Sequence, residues 1–76
     1  MVKLPTDLSG REVRAALERA GFVFRRQSGS HMMLRRDQPH ARVVVPDHKQ
    51  LRSATLRRII ADAGLTVEQF VGLLQR

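Results

Sequence analysis

The spacing of hydrophobic and polar positions changes along the chain, and the changes separate helices from strands. Near the start, Ser9 and Glu12 form the pattern of a capping box, and Gly21 is placed to take the left-handed conformation that ends a helix. Between them the apolar residues recur at the spacing of one helix face, at Val13, Ala16, Leu17 and Ala20. We therefore predict a first helix over about residues 10–20.

The middle of the chain alternates between apolar and polar residues, which is typical of β-strands. Three segments show the pattern, residues 22–27, 30–36 and 41–45, and the turn pair Ser28-Gly29 makes the first two a hairpin. Alternation assigns one set to the face under the helices: Phe22, Phe24, Met32, Leu34, Val43 and Val45. It assigns the other set to the opposite face: Val23, Arg25, Gln27, His31, Met33, Arg35, Arg42 and Val44.

Two further helices are predicted after the strands. Ser53 is placed to cap the first of them, and Gly64 to end it. Its apolar face consists of Leu56, Ile59, Ile60 and Ala63. A capping-box pattern from Thr66 to Gln69 opens the last helix, which buries Val67, Phe70, Val71 and Leu74. The order α-β-β-β-α-α predicts an α+β fold in which a three-stranded antiparallel sheet carries the helices on one face. We expect residues 1–76 to form a single domain.

Composition and charge narrow the possible partners. The net charge is +7, and residues 25–58 account for all of it, with nine lysines and arginines against two aspartates. Such a concentration of positive charge indicates a polyanionic partner. Because the chain has no cysteine and no apolar segment long enough to cross a bilayer, we expect a protein of the reducing cytoplasm that does not bind membranes.

The candidate chemistry centres on one histidine. The three histidines, His31, His40 and His48, lack the spacing of a metal site, and the chain has no nucleotide-binding motif, so we predict neither metal nor cofactor. His31 lies near the start of the second predicted strand, directly after the turn, in the sequence Gly29-Ser30-His31, and it shares its predicted face with arginines. RNA cleavage requires a base, an acid and positive charge around the phosphate, because the 2′-hydroxyl is an internal nucleophile. An imidazole can be that acid or base at neutral pH.

Other residues fill the remaining roles of such a site. His48 could be a second acid or base, and Gly29 and Ser30, next to His31 in the sequence, are candidates for supporting the site. Phosphate contacts are assigned to Arg25, Arg35, Arg42, Lys49, Arg57 and Arg58. Arg57 and Arg58 are predicted in the first turn of the second helix, where a bound phosphate would offset their conflict with the helix dipole.

The residues alone are consistent with three hypotheses about function. His31 is a catalytic residue of a ribonuclease, or an ordinary strand residue of a non-catalytic RNA-binding module. A third reading is an adaptor that binds only protein, which the concentrated charge disfavours.

Several ordered motifs resemble the HicA family of toxin ribonucleases, also described as YcfA-like. They are LSGREV at 8–13, AGF at 20–22, RQSGSH at 26–31, VVPDH at 44–48, TLRRII at 55–60 and AGLT at 63–66. The resemblance implies an α+β fold like that of a double-stranded-RNA-binding domain. It also implies a metal-independent mRNA endonuclease, or mRNA interferase, whose catalytic histidine maps onto His31 and whose adjacent turn is shaped by Gly29. It also implies a HicB-type antitoxin partner that covers His31 and has an acidic surface complementary to the charge of this chain.

Overall fold

Three helices and three strands follow one another in the predicted order. A computed structural model describes residues 2–74. The elements are α1 (Gly10–Arg19), β1 (Val23–Ser28), β2 (His31–Asp37), β3 (His40–Pro46), α2 (Ser53–Asp62) and α3 (Val67–Leu73). The strands form one antiparallel sheet in the order β1-β2-β3, so the predicted α+β class is confirmed.

Two helix starts are fixed by the predicted capping boxes. The Ser9 hydroxyl accepts a hydrogen bond from the Glu12 amide at 3.1 Å, and the Glu12 carboxylate accepts one from the Ser9 amide at 3.1 Å. Thr66 and Gln69 make the same reciprocal pair at the start of α3. Both boxes satisfy amide groups that have no partner inside their helix.

The start of α2 differs from the prediction. Arg52 is the N-cap residue and Ser53 already lies within the helix, so the prediction of a Ser53 cap is wrong. Leu51 is buried, and its amide donates to the carbonyl of Leu8 at 2.8 Å. Because this contact anchors Leu51, the chain turns into the helix one residue earlier than the capping preference of serine suggests. Arg57 and Arg58 consequently lie in the second turn, where the helix dipole is weaker than in the first.

The sheet contains an irregularity that the alternating pattern did not reveal. The pairing of β1 with β2 shifts between Phe24 and Arg26, which is the signature of a β-bulge. Beyond the shift Arg26 pairs with Met33 and Gln27 pairs with Met32. Because Met32 points towards the helices, Gln27 does so too, and the prediction that Gln27 faces the other side is wrong. The bulge instead brings Arg26 to the face that carries Arg25.

All helices cover the same face of the sheet. The predicted inward strand residues are buried there except Phe24, which is half-buried. The core also contains most of the residues predicted on the apolar sides of the helices, namely Val13, Ala16, Leu17, Leu56, Ile59, Ile60, Ala63 and Phe70. The others predicted there are only half-buried, namely Ala20, Val67, Val71 and Leu74. Within residues 2–74, no helix has the length and apolar character needed to span a membrane.

The Arg36 side chain contacts the backbone at the carboxyl ends of α1 and α2. Its guanidinium donates to the carbonyls of Ala20 at 3.3 Å, Ala63 at 3.0 Å and Pro39 at 3.0 Å. The same group lies 4.6 Å from the centre of the Phe22 ring. One side chain therefore holds the carboxyl ends of two helices and the β2–β3 turn together.

Gly10 is required where α1 begins. It is buried, its amide donates to the carbonyl of His48 at 2.9 Å, and a Cβ on it would overlap the carbonyl oxygen of Pro46. Only glycine lets α1 approach the segment after β3 this closely.

Replacement of Gly10 by alanine tests this close approach. We expect Gly10→Ala to lower the free energy of unfolding by about 2 kcal/mol, because the new methyl group forces backbone apart. Gly72 lies in α3 with open space around its Cβ position, so Gly72→Ala should raise stability by about 0.5 kcal/mol. Urea denaturation measures the free energy of unfolding of both variants. Equal changes in the two would contradict the requirement for glycine at position 10.

Arg36 can be tested against a neighbouring arginine. We expect Arg36→Leu to cost about 2 kcal/mol of folding stability, because three carbonyl groups lose a charged donor. Arg26 is exposed and its guanidinium donates to the Met33 sulfur at 3.2 Å, so Arg26→Leu should change stability by less than about 0.5 kcal/mol. Thermal unfolding compares the melting temperatures of the two variants. A wild-type melting temperature for both would contradict the structural role of Arg36.

Candidate active site

The sheet face turned away from the helices carries the candidate site, and we call it the open face. Its residues are Arg25, Arg26, His31, Met33, Arg35, Arg42 and Val44. On this face His31 pairs with Pro46, Met33 with Val44 and Arg35 with Arg42. His31 thus lies at one end of β2, about 13 Å along the strand from the Arg35 and Arg42 pair.

His31 is held by its backbone while its side chain is free. It follows the two-residue turn Gly29-Ser30, in which Gly29 has a φ of +58°. A positive φ at the first turn position suits the twist of a hairpin, and glycine adopts it without steric cost. The His31 side chain is exposed and makes no hydrogen bond within residues 2–74. Both ring nitrogens can therefore exchange protons with a bound molecule.

A depression of about 390 Å³ places His31 beside two arginines. It lies where the edge of the sheet meets α2, and its lining includes His31, Arg42, Thr55, Arg58 and Asp62. A second depression of about 470 Å³ covers the centre of the open face and is lined by Arg25, Arg26, Arg35 and Arg42. Because Arg42 lines both, a continuous cationic surface leads away from His31.

The arginines on this surface are not equally available. The Arg35 guanidinium pairs with the Asp37 carboxylate at 2.9 Å, and Arg58 lies 3.9 Å from Asp62. In the described part of the chain, Arg25 and Arg42 form neither an ion pair nor a side-chain hydrogen bond. Those two guanidinium groups are the most available for bidentate contacts with phosphate oxygens.

Comparison with known proteins decides the family. A family model described as the HicA toxin of bacterial toxin-antitoxin systems matches residues 10–65. The chain belongs to the HicA toxin family. It is accordingly the toxin of a toxin–antitoxin pair and has an antitoxin as partner. No curated protein matches the chain.

The HicA toxin brings some of the predicted phosphate-binding residues together and separates others. Arg25, Arg35 and Arg42 share the central depression, and Arg58 lines the depression that holds His31. Lys49 and Arg57 are exposed but line neither of the two. A phosphate contact by Lys49 or Arg57 would therefore need a partner that extends beyond both depressions.

His48 lies close to His31 along the surface but not in the same depression. It is exposed in the loop after β3 and lines a depression of about 340 Å³ together with Pro46, Gln50 and Thr55. Pro46 and Thr55 also line the His31 depression, so the two are neighbours. A substrate long enough to cross Pro46 would contact both histidines.

Asp47 was not predicted as a site residue, although it contacts the turn beside His31. Its carboxylate accepts from Arg11 at 3.2 and 3.4 Å and from the Gln27 side-chain amide at 3.4 Å. The hydrogen bond from Arg11, reinforced by the charges of Arg11 and His48 and the bond from Gln27, lowers the pKa of Asp47 from its ordinary value. Asp47 is therefore a carboxylate at neutral pH. The residues described contain no group of three or more His, Cys, Asp or Glu side chains that could hold a metal ion.

The lowered pKa predicts how stability responds to acid. A carboxyl group whose pKa is lower in the folded state stabilises the protein above its unfolded pKa, and this contribution disappears as the pH falls through the folded pKa. We expect wild type to be more stable than Asp47→Asn between pH 5 and 8, with the difference shrinking below about pH 4. Urea denaturation across this pH range measures it, and a difference that is independent of pH would contradict the charged contact.

Proposed function

We propose that this HicA toxin is an endoribonuclease that cleaves mRNA without a metal ion, with His31 as general acid or base. The observation that carries the proposal is the free imidazole of His31 in a depression lined by Arg42 and Arg58. Acid–base catalysis requires a side chain whose nitrogens are open to the substrate, and phosphoryl transfer requires positive charge beside it.

The proposed reaction uses the RNA as its own nucleophile. The 2′-oxygen loses a proton and forms a bond to the adjacent phosphorus, while the bond from phosphorus to the 5′-oxygen breaks and that oxygen gains a proton. The products are a 2′,3′-cyclic phosphate and a 5′-hydroxyl. His31 performs one of the proton transfers, and His48, in the neighbouring depression, is the candidate for the other.

The open face is proposed to hold the RNA backbone. Arg25 and Arg42 have no carboxylate partner in residues 2–74, so phosphate groups can bind them without breaking an existing ion pair. Arg35 and Arg58 would add charge at the two ends of this surface, and Lys49 and Arg57 would act only on longer substrates. Binding of this kind weakens with salt because it releases counterions.

The antitoxin is proposed to be of the HicB type and to cover His31. An acidic partner surface would complement both the net charge of +7 and the exposed arginines of the open face. The toxin would then act in the cytoplasm, on mRNA, and inhibit translation and growth only after the antitoxin is lost.

Cleavage by histidine variants tests the proposal. In EDTA, wild type should cut a defined single-stranded RNA, whereas His31→Ala should cut it roughly 100-fold more slowly or worse, because a general acid–base group is lost. His40 is exposed and pairs with Asp37 at the opposite end of β2, so His40→Ala should cleave like wild type. If His48 transfers the second proton, His48→Ala should lose at least about tenfold.

Two outcomes would contradict the proposal. Normal cleavage by His31→Ala would exclude this histidine as the acid or base. Equal RNA binding by wild type and His31→Ala, with cleavage by neither even in the presence of ribosomes, would identify a non-catalytic RNA-binding module.

A further inference from the structure

Asp47 lies immediately beyond the sheet, next to the turn that precedes His31. It follows Pro46, the last residue of β3 and the pairing partner of His31. The Asp47 amide donates to the carbonyl of Ser30 at 2.6 Å. The carbonyl immediately before His31 is therefore tied to residue 47, and His31 itself lies opposite residue 46.

The second carbonyl of the turn is held through Gln27. The Gln27 side-chain amide donates to the Gly29 carbonyl at 3.0 Å and to the Asp47 carboxylate at 3.4 Å. This arrangement depends on the β-bulge, since the bulge turns Gln27 towards the helix side. Asp47 is thus connected to both residues of the turn. Its own amide binds Ser30, and the side chain of Gln27 links its carboxylate to Gly29.

Little else restrains this turn. Gly29 and Ser30 are exposed, and the space around the Gly29 Cβ position is open to beyond 4 Å. A turn without packed side chains depends on its hydrogen bonds for a defined conformation.

Asp47 itself is fixed to the body of the protein. Arg11 in the first turn of α1 holds both of its carboxylate oxygens, and the amide of Gly10 binds the carbonyl of His48. The chain that follows the Asp47 amide is therefore anchored to α1 at two consecutive residues, 47 and 48.

We infer that Asp47, acting through Gln27 and the Gly29-Ser30 turn, is a positioning residue that sets the orientation of His31 for catalysis. The inference rests on the proposed function, because it concerns the same histidine. A displacement of about 1 Å at a reacting group can lower a rate roughly 100-fold, so a loosened turn should affect turnover more than binding.

Two variants interrupt the connection at different points. Asp47→Ala removes the carboxylate that holds Gln27. Gln27→Glu keeps the size of the side chain but cannot donate to Gly29, and its charge repels Asp47. Glu18→Gln is the matched control, because it removes a surface ion pair with Arg14 on α1 away from the turn.

We expect Asp47→Ala and Gln27→Glu to lower kcat for RNA cleavage by at least about tenfold with KM changed less than about twofold, and Glu18→Gln to leave both unchanged. Nuclear magnetic resonance should show altered signals for Gly29, Ser30 and His31 in the first two variants only. In a His31→Ala background, Asp47→Ala should cause no further loss of cleavage, since it acts through the missing side chain. Gln27→Glu keeps the test valid if Asp47→Ala folds poorly.

The failures of the two proposals are distinguishable. If wild type cleaves, His31→Ala does not, and both turn variants retain wild-type kcat, only the positioning role is overturned. An equal loss in Glu18→Gln would also overturn it by indicating a general effect of stability. If wild type does not cleave RNA, or His31→Ala cleaves normally, the proposed function fails and the positioning role fails with it.

Discussion

The contact between the first turn of α1 and the segment that follows β3 is the constraint on which the site depends. It requires glycine at position 10, a backbone hydrogen bond to His48 and the pairing of Arg11 with Asp47. Because His31 pairs with Pro46 at the same end of the sheet, the geometry of that histidine follows from how closely α1 approaches. The position of α1 and the geometry of the site therefore depend on the same contact.

The two faces of the sheet carry side chains with different roles, one in the core and one at the cationic surface. Residues on one face pack against three helices, and their burial supplies the apolar core. On the opposite face Arg25, Arg26 and Arg42 are exposed to solvent. This division lets a small chain combine a stable core with a broad cationic surface.

Local patterns were sufficient to predict much of this arrangement. The element order, the capping boxes at Ser9 and Thr66 and the inward strand residues all depend on neighbours within a few positions. The orientation of Gln27 was wrong because one bulge reverses the alternation, and nothing in the residues around it marks where the extra residue is inserted. The start of α2 was wrong because the distant contact of Leu51 with Leu8 overrides the capping preference of Ser53.

The structural roles of Arg36 and Asp47 were missed for a related reason. Arg36 resembles the other arginines in sequence, and only the folded chain brings three carbonyl groups to its guanidinium. Asp47 and Arg11 are 36 residues apart, so no local spacing links them. By contrast, grouping Arg35 and Arg42 with His31 on one face followed from alternation alone, because β2 and β3 are regular.

The account's central claim is that the RNA supplies its own nucleophile while the protein supplies proton transfer and charge. The most direct measurement replaces a single ribose, on the 5′ side of a mapped cleavage site, with 2′-deoxyribose. The account predicts that cleavage at that bond stops while binding of the oligonucleotide is retained. Cleavage of the substituted bond at the original rate would contradict it, because the attacking group would then be water or a side chain.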